Sequence, residues 1–176
     1  NQKDLQKSLS YCQGVIEKRS TLQILSNVLL EAKNSLLTIT ATDLDLIFIH
    51  RIKDIKIEEE GKITTSSSTM HDVVRKFSPG KKIDISLGED NKLMLESEKS
   101  VFHLNCIDSN EFPLTDENFN QKEFTISSKD FLKLLNKCKF SVSNDETRHY
   151  LSGIFFHMTQ NEDNYFLTAA ATDSHR

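Results

Sequence analysis

Residues 129–156, KDFLKLLNKCKFSVSNDETRHYLSGIFF, restate residues 3–30, KDLQKSLSYCQGVIEKRSTLQILSNVLL. At a shift of 126 the two segments agree at eight of 28 positions: Lys3/Lys129, Asp4/Asp130, Lys7/Lys133, Leu9/Leu135, Cys12/Cys138, Thr21/Thr147, Leu25/Leu151 and Ser26/Ser152. Chance gives roughly two at ordinary residue usage. Leu5/Phe131, Ile16/Val142, Val28/Ile154, Leu29/Phe155 and Leu30/Phe156 are like for like. At a shift of 130, Leu37-Thr38 matches Leu167-Thr168 and Ala41-Thr42-Asp43 matches Ala171-Thr172-Asp173. The change of register falls in polar Gln160–Asn164, where a loop takes insertions cheaply. A period this long marks a duplicated domain rather than a solenoid unit.

One unit is about 120–130 residues, an ordinary domain size. The 176 residues therefore read as one whole domain, 1–118, and the first part of a second, 119–176. A complete second copy would run to roughly residue 250, so the chain reads as a fragment.

Residues 3–16 have helical spacing, with Leu5, Leu9, Cys12 and Ile16 on one stripe and Lys3 and Lys7 pointing away. The second copy repeats this, with Ser127 or Ser128 as N-cap. Phe131, Leu134, Leu135 and Cys138 form its apolar stripe, and Lys129, Lys133 and Lys137 lie opposite. Leu25–Glu31 and Ser35–Thr40 read as paired strands, and Asp43–Ile57 as one or two more. Thr64–Phe77 reads as a second helix, its first turn supplied by the hydroxyl run Thr64–Thr69 and its stop by Ser78-Pro79-Gly80. Ile83–Leu87, Leu93–Ser97 and Val101–Asn105 read as three strands, Asp108–Asn120 as a polar connector, and Phe124–Ile126 as the first strand of the second copy. Each unit is α+β, helices with antiparallel strands, and its two halves look alike: a helix followed by a meander.

Composition is that of a folded protein, 37% apolar and 27% charged. No apolar run approaches a membrane span and no signal-peptide pattern is present. Three cysteines without a CxxC spacing point to a reducing cytosol. Cys12 and Cys138 hold the same place on a helix's apolar face, and Cys106 lies in a strand; all three read as small core residues. The net charge of −4 argues against a uniformly basic nucleic-acid binder and moves attention to how charge is distributed.

Five stretches resemble the bacterial DNA polymerase III β subunit, the sliding-clamp family. Arg19–Leu25 is similar to an Arg-x-Thr-Leu-Pro-Ile-Leu segment, with Gln23 in place of proline. Ala41–Leu44 matches a Thr-Asp-Leu strand start, and Asp108–Pro113 an Asp-x-x-x-Phe-Pro domain exit. Arg148–Gly153 and Ala171–Arg176 resemble the Arg-(Tyr)-Tyr-Leu-x-Gly and Ala-Thr-Asp-x-His-Arg elements of the middle domain. The likeness covers essentially the whole chain.

The resemblance implies three such domains per subunit and two subunits joined head to tail into a ring that slides on duplex DNA. Such a ring tethers the polymerase, and it is a processivity factor in the cytoplasm rather than an enzyme. No cofactor, metal or membrane is implied. Sliding requires attraction to phosphate without base readout. Lys3, Lys7, Arg75, Lys76, Lys129, Lys133 and Lys137 have the placement of a cationic lining, against an ordinary solvated helix face as the plainer reading. Closer DNA contacts are implied at Arg19 and at the loop Asn144–Tyr150, including His149 and Tyr150. His149 replaces an aromatic, Asp145 stands where a neutral amide is common, and Ser68 where a basic residue can occur.

The resemblance also implies a groove for short apolar tails of the polymerase catalytic subunit and clamp loader, at Leu151, Thr172, Ser174, His175 and Arg176. Ser174 stands where glycine is common. Strand Val101–Asn105 aligns with the edge that joins a second copy of the chain, with Phe102 and Leu104 either as apolar contacts there or facing the domain's own core. Lys99 is what remains of the basic residues usual nearby. Two other readings compete. One is a protein-interaction scaffold without DNA. The other is a metal-dependent hydrolase using Asp43, Asp45, Asp173 and His175. Against the latter, Asp43 and Asp173 are repeat-equivalent residues of separate domains and read better as turn hydrogen-bonders.

Overall fold

Asn1 starts the first helix: its side chain accepts from the Lys3 and Asp4 amides, and α1 runs over Gln2–Cys12. The computed structural model describes residues 1–16, 21–88, 90–113, 124–145, 147–161 and 164–176. The expected continuation of α1 to Ile16 does not form. Gly14 and the β-branched pair Val15-Ile16 are weak helix formers. The Gly14 amide instead bonds Tyr11 O, and the Val15 and Ile16 amides bond Cys12 O. Val15 and Ile16 still pack on the core.

Two units are present, Asn1–Glu117 and Asn118–Arg176. In the first, β1 (Asn27–Lys33) and β2 (Leu36–Thr42) form a hairpin. Its two-residue loop, Asn34-Ser35, takes left-handed φ of 50° and 58°, which matches the twist of the flanking strands. Strand β3 (Ile47–Ile52) continues the meander. Then come β4 (Gly61–Ser66), α2 (Ser67–Val74), β5 (Asp84–Leu87), β6 (Lys92–Ser97) and β7 (Ser100–Ile107). The seven strands form one antiparallel sheet in the order β3-β2-β1-β4-β7-β6-β5. Each half of the unit is a helix with a three-strand meander, and β4 joins the halves.

Thr64 and Thr65 belong to β4, not to the start of a helix. Both are fully buried and β-branched, which suits a strand. Their hydroxyls donate across the sheet, Thr64 to Ile107 O at 2.8 Å and Thr65 to Asn105 O at 2.9 Å. The cap of α2 is Ser66, whose side chain accepts from the Thr69 amide. One core then takes Leu5, Leu9 and Cys12 from α1, Met70, Val73 and Val74 from α2, and Val28, Leu30, Ile39, Leu93, Leu95 and Leu104 from the sheet.

In the second unit, α3 (Ser128–Cys138) is capped by Ser127, the repeat counterpart of Asn1. Strands β8 (Phe155–Asn161) and β9 (Asn164–Ala170) pair antiparallel. Helix α3 packs on them through Phe131, stacked 5.5 Å from Phe156, and through Cys138, whose thiol donates to Ala169 O at 3.5 Å. Phe124–Ile126, expected as a strand, is not one; among the described residues no strand pairs with it. No helix among the described residues is long and apolar enough to cross a membrane.

Candidate functional site

The repeat reappears as hydrogen-bond geometry. In the first unit, Thr42 Oγ1 accepts from the Leu44 amide at 3.0 Å, and Asp43 Oδ1 accepts from the Asp45 and Leu46 amides at 3.1 and 2.7 Å. In the second, Thr172 Oγ1 accepts from Ser174 N at 3.1 Å, and Asp173 Oδ1 from His175 N and Arg176 N at 2.9 and 3.0 Å. Leu44 and Ser174, at matching steps, both have left-handed φ, 84° and 74°. That conformation favours glycine, and neither position holds one.

The segment before the first strand repeats as well. Leu25 N bonds Leu22 O and Leu151 N bonds Arg148 O. Ser26 Oγ donates to Gln23 O as Ser152 Oγ donates to His149 O. In the second unit this short turn, His149–Leu151, stands beside an open groove of about 220 Å³. Its lining is Tyr150, Leu151, Gly153, Phe155, Ala170, Ala171 and Thr172. The lining carries no charge and suits apolar side chains. Of the residues that the resemblance assigned to a groove, Leu151 and Thr172 are brought together in this lining. Tyr150, assigned above to DNA, forms part of the groove wall and is 81% exposed. Ser174, His175 and Arg176 lie outside the lining, in the adjoining turn. Gly153, Phe155, Ala170 and Ala171 were missed. Their repeat counterparts Asn27, Leu29, Thr40 and Ala41 are buried in the first unit, so the repeat reads them as ordinary core.

Two arginines beside the groove are held by neighbouring carboxylates. Arg176 Nε donates to Asp173 Oδ2 at 2.9 Å. Arg148 Nε donates to Asp145 Oδ2 at 2.8 Å, and its Nη1 to Ser174 Oγ at 3.0 Å. The Thr147 hydroxyl first, then the Thr147 amide and Arg148, lower the Asp145 carboxyl to about 2. The amide of His175 foremost lowers Asp173.

The lysine faces are exposed in both units. Lys3 and Lys7 stand on the solvent side of α1, with Arg75 and Lys76 just past α2. Arg75 approaches Asp72 at 3.9 Å. Lys129, Lys133 and Lys137, with Asp130, Leu132 and Asn136, line a shallow depression on α3. Ser68 is exposed in α2. Arg19 lies outside the described residues.

The reading of Phe102 and Leu104 as joint contacts is corrected. Leu104 is buried in the unit's own core, and Phe102 packs edge-on against Phe77 at 5.4 Å. Alternation along β7 turns these two inward and Val101 and His103 outward. Residues 100–105 pair with β6, whereas pairing with β4 is confined to Cys106 and Ile107. Among the described residues, no strand pairs with the other edge of 100–104.

Asp43 and Asp173 direct Oδ1 at backbone amides of their own turns. Among the described residues, no three His, Cys, Asp or Glu side chains gather as a metal site.

A twice-repeated α+β unit with capped basic helices, a doubled Thr-Asp turn and an uncharged groove defines a clamp-type fold. The family description "DNA polymerase III beta subunit, N-terminal domain" matches residues 1–116, and "DNA polymerase III beta subunit, central domain" matches residues 125–176. The chain belongs to the DNA polymerase III beta subunit family. The beta sliding clamp of Caulobacter vibrioides is 34% identical over 173 residues, 98% of this chain and 46% of that protein. The solved Caulobacter crescentus pol III beta superposes with a TM-score of 0.90 at 32% identity, over 99% of this chain and 46% of that one. The Bartonella birtlesii sliding clamp bound to griselimycin gives a TM-score of 0.90 at 35% identity, over 99% and 46%. The chain thus spans about half the length of the relatives it matches.

Proposed function

We propose that this chain is part of a sliding clamp, a ring that encircles duplex DNA and tethers a replicative polymerase. The observation that carries the reading is the exposed lysine face on the helix that opens each copy of the repeat, in a chain whose net charge is −4. Cations gathered on two helices attract phosphate without reading sequence, and the acidic excess elsewhere limits nonspecific sticking. A ring needs mobile contacts, and long flexible lysines on a shallow face supply them. Arg19, His149 and Tyr150 are proposed as closer DNA contacts.

The ring also needs a joint. The edge of β7 over 100–104, without a partner strand among the described residues, offers backbone pairing to a strand of a second copy of this chain. Val101, exposed, supplies the apolar contact there. The groove at Leu151 and Thr172 is proposed to take short apolar peptides of the polymerase catalytic subunit and the clamp loader. Ser174, His175 and Arg176 would shape its rim. In this role the chain acts as a processivity factor and performs no chemistry of its own.

The test uses the chain at its full natural length, assembled on nicked circular duplex DNA. Retention on the circle and loss on linearising it are expected. Equal retention on both forms, or binding of apolar peptides with no DNA retention, would replace the ring by a protein-interaction scaffold.

A further inference from the structure

Three positions change together between the two copies, and in the second copy they meet. Asp145, Arg148 and Ser174 correspond to Arg19, Leu22 and Leu44. The backbone around them is otherwise held in common: Leu22 O accepts from Leu25 N as Arg148 O accepts from Leu151 N, and the Thr-Asp turn is doubled. In the second copy the guanidinium bridges Asp145 Oδ2 at 2.8 Å and Ser174 Oγ at 3.0 Å. Leucines at positions 22 and 44 have no polar group with which to build such a bridge.

The groove walls come from two stretches of chain, residues 150–155 and 170–172. The β8–β9 ladder joins these stretches only as far as the Phe155–Ala170 pair. Beyond that pair, among the described residues, the Arg148 side chain links the two. Arg148 is anchored in the 144–151 loop and reaches the 172–176 turn, which are the two segments that flank the opening.

We propose that Arg148 is a positioning residue for peptide binding: tied to Asp145 and Ser174, it fixes the 144–151 loop to the 172–176 turn and holds the groove in one shape. The proposal rests on the groove reading above. It gives Asp145 and Ser174 a shared task, as the two anchors of one side chain. A groove kept in shape before the ligand arrives loses less entropy on binding.

The probe is a fluorescent hexapeptide ending in two large apolar side chains, titrated into the full-length chain. R148M and the double variant D145N/S174A, which keeps Arg148 but removes its anchors, are each expected to weaken binding about three- to five-fold. The triple variant is expected to be no weaker than R148M, because all three changes cut one connection. Wild-type affinity in R148M overturns the proposal. So does a loss in R148M that the double variant does not share, since that pattern means the guanidinium touches the peptide itself. If the wild-type chain binds no such peptide, the groove reading fails separately. The tie is then judged by amide exchange at Ser174–Arg176, which must accelerate in R148M; unchanged exchange overturns it.

Discussion

Leu44 and Ser174 stand at the same step of the same turn in successive copies of the unit, both left-handed, with φ of 84° and 74°. Neither residue type favours that conformation, which costs roughly 1–2 kcal/mol for a side chain with a Cβ. The turn survives at both sites because its preceding Thr and Asp satisfy the amides that follow.

Leu44→Gly is therefore expected to stabilise the first unit by about 0.5–1 kcal/mol, the relief of strain outweighing the added freedom of the unfolded chain. Leu44 is half exposed, so little packing is lost. Ser174→Gly removes the same strain but also the hydroxyl that receives Arg148, so its gain is smaller. Urea denaturation of each variant decides the order, and a lower midpoint for Leu44→Gly contradicts it.

Asp145 titrates near 2 because the Thr147 hydroxyl and amide, then Arg148, favour its charged form. A carboxyl depressed on folding adds stability above its unfolded value of about 4. That contribution fades as pH falls from there toward 2. Carboxyl-resolved NMR should place its midpoint well below those of exposed aspartates. In D145N the acid-side decline over this window should be shallower than in the wild type.

Thr64 is fully buried, accepts from Asn27 Nδ2 at 3.2 Å and donates to Ile107 O at 2.8 Å. Thr64→Val keeps the shape and strand preference but orphans both partners. A loss of about 1–3 kcal/mol is expected by chemical denaturation. A neutral effect would mean that the hydroxyl adds nothing across β4 and β7.

Cys12 has no exposed surface, and burial raises its thiol to about 12. Burial also raises Cys106, which is half-buried. At pH 8 an alkylating reagent should label half-buried Cys138 first and leave Cys12 unmodified until the chain unfolds. Mass spectrometry after timed quenching gives the order; early loss of the Cys12 thiol refutes it.

K129E/K133E/K137E should leave far-UV CD and the melting temperature nearly unchanged, because all three side chains are exposed on one helix face. The same variant in the full-length chain should leave circular DNA several-fold faster, with a flatter dependence on salt. Unaltered retention would remove these lysines from the DNA-facing surface.

Much of the architecture was legible because the repeat fixed the unit and period fixed its helices. Leu5, Leu9 and Cys12 are buried as their spacing predicts, with Lys3 and Lys7 opposite. Thr64 and Thr65 misled because a hydroxyl run reads equally well as a cap or as a buried strand; only the partner strand β7 distinguishes them. Phe102 and Leu104 were ambiguous for a related reason. Alternation says that two residues share a face, but the core that claims the face comes from Phe77 and its neighbours. At the candidate site, Leu151 and Thr172 were named through the family resemblance and not through a pattern of their own. Phe155, Ala170 and Ala171 were not named, since apolar residues on strands look like ordinary core until the surface above them is found open. The Arg148 bridge spans 26 positions along the chain, beyond the reach of any local pattern.

The doubled turn also warns against a tempting inference about acids. Asp43 and Asp173 recur in both copies with the Ala-Thr pair before them, and recurrence of that kind invites a chemical explanation. Their Oδ1 atoms are already occupied by the backbone that follows them. What duplication preserved here is a way to end a strand, so a recurring carboxylate in such a place is a piece of masonry rather than a tool.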